Sequence, residues 1–187
     1  CSTKTVTDTV KLNFEPPPSV QAGPAAAVCA SSTYTLASAQ ALNCQSVTWQ
    51  TSGDGSFSNP NSINPIYTSG PGDIATGSAL LTLRGDGSAT CSVLQSFATT
   101  LLTIHPLPTA SAGPNGATCQ GINYTVSGAS ATNNSSVTWT ENGPGSLINA
   151  GTLTPTYVPL PGETGTVTLT LTAQGANTCS AETATST

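Results

Sequence analysis

The feature that most constrains this chain is that it repeats itself. The stretch SVQAGPAAAVCASSTYTLASAQALNCQSVTWQTSGDGSF, beginning at Ser19, returns 90 residues later as TASAGPNGATCQGINYTVSGASATNNSSVTWTENGPGSL. Gly23 and Pro24 recur as Gly113 and Pro114, Cys29 as Cys119, Tyr34 as Tyr124, Trp49 as Trp139, and Pro65 and Tyr67 as Pro155 and Tyr157. After a two-residue deletion the offset becomes 88, so that Leu81, Leu83, Gly87 and Cys91 match Leu169, Leu171, Gly175 and Cys179. Whatever fold this sequence adopts must therefore be built twice, each time around its own core.

The start of the chain belongs to the same pattern. CSTKTVTDTVKLNFEPPPSVQAGP aligns without gaps with CSVLQSFATTLLTIHPLPTASAGP, which begins at Cys91, so residues 1–15 read as the end of a preceding unit. Prolines 16–18 and the PLP of 106–108 act as short, stiff spacers between units. The resulting division is 1–17 for an N-terminal strand and linker, 18–105 for the first unit, and 106–187 for the second.

Within a unit the pattern is one of short strands. Ser and Thr account for 56 of 187 residues, alongside 18 Gly and 14 Pro. Thr and Val suit a pleated strand, and Gly, Pro, Asn and Asp clusters such as GDGSFSNPN and RGDGS mark the turns. Segments 34–39, 46–50, 78–84 and 97–104 are the clearest strands, and about seven per unit is the signature of a sandwich. We expect an all-β chain of two tandem immunoglobulin-like β-sandwich domains preceded by an N-terminal extended strand. Trp49 and Trp139, each in an SVTW strand, are expected in the two cores with Tyr34 and Tyr124.

Charge excludes several functions. With 3 Lys+Arg and a net charge of −5, Lys4, Lys11 and Arg84 are too scattered to form the basic stripe that nucleic acid requires. The longest apolar runs, such as residues 101–104, are far short of a membrane span, so no membrane insertion is expected. Catalysis needs clustered titratable groups, whereas Glu141, Glu163 and His105, the single histidine, fall in different turns and junctions. No catalytic residue and no enzymatic activity are expected. No close Cys-x-x-Cys pair is present to bind zinc. Asp54, Asp73 and Asp86 could offer loop oxygens to calcium but lack a dense DxDxDG spacing, so no metal and no cofactor is the expectation, with calcium the one alternative.

Six cysteines in a chain this poor in charge point to an oxidising, extracellular setting. One bridge per sandwich, Cys29 with Cys91 and Cys119 with Cys179, is the simplest assignment. A head-to-tail alternative joins a cysteine of one sandwich to one of the next. Cys1 and Cys44 remain unassigned, either paired with each other across subunits or with Cys44 a buried free thiol. The triplet Arg84, Gly85, Asp86 spells RGD on an expected hairpin turn, where Gly and Asp equally serve the turn itself. Asn123, Asn133 and Asn134 head N-x-S/T sequons, as chance alone provides in so Ser- and Thr-rich a chain.

The pattern P-x-x-x-AGP, then T/V-C-x-x-x-x-Y-T-L/V, SVTW, P-x-Y, L-T-L and a late Cys resembles the immunoglobulin-like or PKD-like repeats of large secreted surface adhesins of Bacteroidota. The PKD signature W-x-F-G-D-G stands here as WQTSGDG at Trp49 and WTENGPG at Trp139. Asp8, Thr9 and Val10 resemble the short O-glycosylation motif of the same bacteria. The resemblance covers essentially the whole chain and implies secretion, a β-sandwich fold and a structural or adhesive role.

The two ends of the sequence complement each other. CSAETATST at 179–187 matches CSTKTVTDT in five of nine positions, and the next residues in that register are 10–14. Val10, Leu12 and Phe14 alternate with Lys11, Asn13 and Glu15, as a strand with one buried face should. The chain is therefore expected to polymerise head to tail, residues 10–15 of one copy completing the second sandwich of its neighbour as a donor strand, which makes it a subunit of an extracellular filament. An arbitrary piece of a longer repeat array is the competing account, with the chain a spacer or ligand-binding fragment of a giant surface adhesin. The expected partner is a second copy of the chain, with surface glycans or a host protein as the alternatives.

Overall fold

A computed structural model describes residues 3–187; Cys1, one of the two unassigned cysteines, lies outside the described residues. In the first unit the strands are β1 (Ser19–Gln21), β2 (Ala26–Cys29), β3 (Tyr34–Thr35), β4 (Gln40–Leu42), β5 (Cys44–Thr51), β6 (Ser56–Phe57), β7 (Ile66–Thr68), β8 (Ser78–Gly87) and β9 (Gln95–His105). One sheet runs β2-β9-β8-β5 and the facing one β3-β7-β6, with β1 paired to β4. All pairings are antiparallel except β2 with β9, which run parallel and set Cys29 beside His105. One short helix, α1 (Pro71–Thr76), precedes β8.

The second unit repeats this plan with β10 (Thr109–Ser111), β11 (Tyr124–Thr125), β12 (Ser130–Thr132), β13 (Asn134–Glu141), β14 (Ser146–Ile148), β15 (Thr156–Val158), β16 (Leu169–Gly175) and β17 (Thr183–Ser186). Its sheets are β13-β16-β17 and β11-β15-β14, with β10 on β12. Residues 116–119, the counterparts of β2, form no strand, and nothing among the described residues corresponds to the second half of β9.

Each sandwich closes on its tryptophan. Trp49 and Trp139 are buried, and each indole N–H donates to a backbone carbonyl of the loop that follows, Ile63 at 3.3 Å and, one position earlier in repeat register, Thr152 at 2.9 Å. Tyr34 and Tyr124 are half-buried against the two cores. The repeated Gly-x-Gly after each tryptophan has a packing cause: a Cβ at Gly55 would fall 2.3 Å from the Tyr67 hydroxyl, and one at Gly143 would fall 2.3 Å from that of Tyr157. Asn43 and Asn133 adopt left-handed backbone, with φ of 57° and 55°, and their side chains donate to the carbonyls of Pro17 and Leu107. Each therefore ties a β-turn to the proline spacer that precedes its unit.

Two expectations are corrected here. The RGD triplet is not on a turn, because β8 continues to Gly87: Arg84 and Asp86 pair with Thr48 and Ser46 on one side and with Phe97 and Gln95 on the other. Its arginine and aspartate are bound to each other at 3.0 Å. The strand expected at 34–39 is only two residues long: Leu36 N–H still donates in register to the carbonyl of Pro65, but proline has no N–H to return the bond and the ladder ends there.

Candidate functional site

Among the differences between the two units, one opens a cavity. In β9 the buried positions are Thr100, Leu102 and Ile104, with Leu102 and Ile104 each 1% exposed, and the Thr100 hydroxyl donates to the carbonyl of Pro24. This stretch of β9 lies between β2 on one side and the start of β8 on the other. In the second unit the same space is a cavity of about 720 Å³. Its walls are residues 113–121 and 163–169, the counterparts of β2 and of the start of β8, and its floor includes Val126 and Trp139. Thr187, the counterpart of Thr99, stands at its edge.

The walls show the effect of the open slot. Leu81 is fully buried by β9, whereas its counterpart Leu169 is only half-buried. β16 begins at Leu169, three residues later in register than β8, because no counterpart of the end of β9 lies beside residues 166–168; Thr168 bonds to Asn142 instead. The open slot has Val126 and Trp139 in its floor and, along its two edges, segments 116–119 and 166–168 that belong to no strand.

Val10, Leu12 and Phe14, at 94%, 73% and 89% exposure, lie at the opposite end of the chain. By repeat register they are the counterparts of Thr100, Leu102 and Ile104, the three buried positions of β9. Residues 3–17 belong to no sheet, since an isolated strand has nothing to pair with. The segment is tied near its end: the Glu15 carboxylate accepts from the Thr90 hydroxyl at 2.7 Å, the Cys91 thiol reaches the Glu15 carbonyl at 3.6 Å, and Asn43 holds the carbonyl of Pro17.

The disulfide assignment of one bridge per sandwich is overturned. Cys29 is bonded to Cys179, with the Cα atoms 4.9 Å apart, and Cys44, Cys91 and Cys119 carry free thiols. The cause is the length of β9: Cys91 lies before its first residue and Cys29 pairs with its last, so roughly 30 Å of strand separates them, against the 4.4–6.8 Å that a bridge allows. Cys44 is half-buried with its thiol near the carbonyl of Leu42. The bond instead crosses the junction between units, where the Cys179 sulfur lies 3.3 Å from the His105 carbonyl, His105 Nδ1 meets the Thr178 hydroxyl at 2.9 Å, and Ser31 donates to Glu182 at 2.7 Å. The repeat equivalence of His105 with Glu15 was the available signal for this junction, and the two side chains differ in chemical type.

Of the proposed calcium ligands, Asp54 and Asp73 come together and Asp86 does not. Asp54 accepts from the backbone N–H groups of Gly72 and Asp73 at the start of α1, and these bonds hold its carboxyl below the usual range. Asp73 is buried and accepts from the Tyr67 hydroxyl at 2.6 Å and from Gly55 N–H. Burial, with Asp73 adding to it, pushes the Tyr67 phenol up to about 12. Glu163 takes the place of Asp73 on Tyr157, at 2.6 Å, where burial and that carboxylate again raise the phenol. Among the described residues no three His, Cys, Asp or Glu side chains gather as a metal site. Glu163 on Tyr157 and His105 on Thr178 are thus held in separate contacts, and Glu141 stands apart at the end of β13.

No family model matches the chain, and no curated protein does. Among solved structures it is similar to a protocadherin gammaB7 EC3-6 fragment at 12% identity, covering 86% of this chain and 44% of that one with a TM-score of 0.49. The D00-D0 domain of intimin is similar at 14% identity, covering 91% and 96% with a TM-score of 0.43. The N-terminal four immunoglobulin domains of Dscam1 are similar at 14% identity, covering 87% and 42% with a TM-score of 0.37.

Proposed function

We propose that this chain is a non-enzymatic structural subunit of an extracellular filament, in which residues 10–15 of one copy enter the open slot of the second unit of another. The observation that carries this reading is the correspondence between the slot and β9. The space that Leu102 and Ile104 fill in the first unit is open in the second, and the exposed Leu12 and Phe14 stand in the same register. Burying Val10, Leu12 and Phe14 would contribute about 1.5–3 kcal/mol each. Strand pairing along both edges supplies the hydrogen bonds. The contact joins two different surfaces, so it need not close on itself, and repeated head to tail it builds a filament. A disulfide between units fits an oxidising, extracellular setting.

The test is the assembly state of the purified chain beside a Leu12→Asp, Phe14→Asp double variant, by negative-stain microscopy and light scattering. Fibres from the wild type and none from the variant are expected. Monomers from both would overturn strand addition and favour a spacer unit of a surface adhesin.

A further inference from the structure

The junction between the two units is partly drawn a second time within the chain. At the first, His105 ends β9, its side chain meets the Thr178 hydroxyl, its carbonyl lies 3.3 Å from the sulfur of Cys179, and Cys179 is bonded to Cys29 beside it on the parallel strand. At the second, Glu15 meets the Thr90 hydroxyl and its carbonyl lies 3.6 Å from the thiol of Cys91. Glu15 is the repeat counterpart of His105, Thr90 of Thr178, and Cys91 of Cys179. The element lacking at the second junction is the cysteine on the neighbouring strand, the counterpart of Cys29. In repeat register that residue is Cys119, which is exposed, unbonded and on the wall of the open slot.

We infer that Cys119 of the copy that accepts the strand and Cys91 of the copy that donates it form a second inter-unit disulfide, so that each strand addition is locked covalently. This rests on the strand-addition reading above. When residues 10–15 lie in the slot, Glu15 occupies the place beside Cys119 that His105 occupies beside Cys29, and it brings Cys91 with it. The Ser31 to Glu182 hydrogen bond has no equivalent at this second junction, where Gly121 and Leu94 stand instead. The bridge is thus the stronger of the junction's retained ties. The step needs a disulfide oxidant. The Cys119 thiolate attacks one sulfur of a small-molecule disulfide and releases a thiolate. The Cys91 thiolate of the neighbouring copy then attacks the mixed disulfide at the Cys119 sulfur and releases the second. The two protein thiols are oxidised, the oxidant is reduced to two thiols, and the protons pass to the released thiolates.

The experiment treats wild-type, Cys119→Ser, Cys91→Ser and the Leu12→Asp, Phe14→Asp chains with oxidised glutathione, then applies microscopy, non-reducing denaturing gels and mass-spectrometric mapping. The expected result is a covalent ladder from the wild type with a cross-linked peptide pair containing Cys119 and Cys91. Each single serine variant should lose that pair, and a mixture of the two should yield it only in covalent dimers. Wild-type fibres in which Cys119 and Cys91 remain unlinked would overturn the disulfide while leaving strand addition standing. Absence of both fibres and the cross-link would overturn both readings together.

Discussion

Cys29, at the last position of a parallel edge strand in the first sandwich, is bonded to Cys179, 150 residues away in the 3-10 turn Asn177–Cys179 of the second. The bond spans the proline spacer, and among the described residues no disulfide lies inside either sandwich. It restrains the angle between units, where a bridge inside each sandwich would restrain only the strands. Closing so long a loop could stabilise by roughly 5 kcal/mol in the chain-entropy limit.

Cys29→Ser and Cys179→Ser are each expected to lower the thermal midpoint of the monomer by several degrees, and a reducing agent should bring the wild type to the same midpoint. Calorimetry with and without reductant checks this. Variants that melt like the oxidised wild type would show that the bond restrains nothing the packing does not already hold.

Equivalent leucines should behave unequally. Leu102→Ala removes a side chain buried in the first core and is expected to cost about 2–5 kcal/mol in urea unfolding of the monomer. Leu12→Ala, at the same register position, should stay within about 0.5 kcal/mol in the monomer and weaken only the assembled state. An equal loss from both would mean that residue 12 is already buried within its own chain.

Tyr67 makes stability depend on alkaline pH. Its phenol is held neutral up to about 12 in the folded chain, against 10.0 for an ordinary tyrosine. The unfolded chain therefore loses this proton first, and the stabilisation present below pH 10 should decline as pH rises from 10 towards 12. Tyr67→Phe should remove part of that decline, measured as the unfolding midpoint against pH. Parallel curves for the variant and the wild type would refute it. Tyr157 contributes in the same direction, so a residual slope is expected in the variant.

The RGD triplet should not support adhesion. Arg84 and Asp86 are strand residues bonded to each other, and Asp86 also accepts from Ser46 and Gln95. Burial pushes the Asp86 carboxyl up, but the bonds from Ser46, Arg84 and Gln95 outweigh it and hold the group below the usual range. Wild type and Asp86→Glu should be indistinguishable in a cell-attachment assay, with no effect of a competing RGD peptide. Inhibition by that peptide would overturn the assignment.

Local pattern alone determined much of this protein. Alternation of apolar and polar residues reports which face of a strand is buried, so the tryptophan cores and the register linking Val10, Leu12 and Phe14 to Thr100, Leu102 and Ile104 were readable directly. The fall of Gly-x-Gly after each tryptophan was readable too, though its cause, the approach of Tyr67 and Tyr157, was not. Tertiary structure alone decided which cysteines meet, because that depends on which pole of the sandwich each strand end reaches. Repeat symmetry is silent on poles: it makes Cys29 equivalent to Cys119 and Cys91 to Cys179, and permits a bond within a unit or between units. The parallel placement of β2 on β9 settles it, carrying Cys29 to the far end of an 11-residue strand and against the next unit. The same long-range pairing kept Arg84 and Asp86 in the sheet, where their Gly-rich neighbours had suggested a turn. Side-chain periodicity is a property of a few consecutive residues, whereas the approach of strand ends is a property of the whole path of the chain.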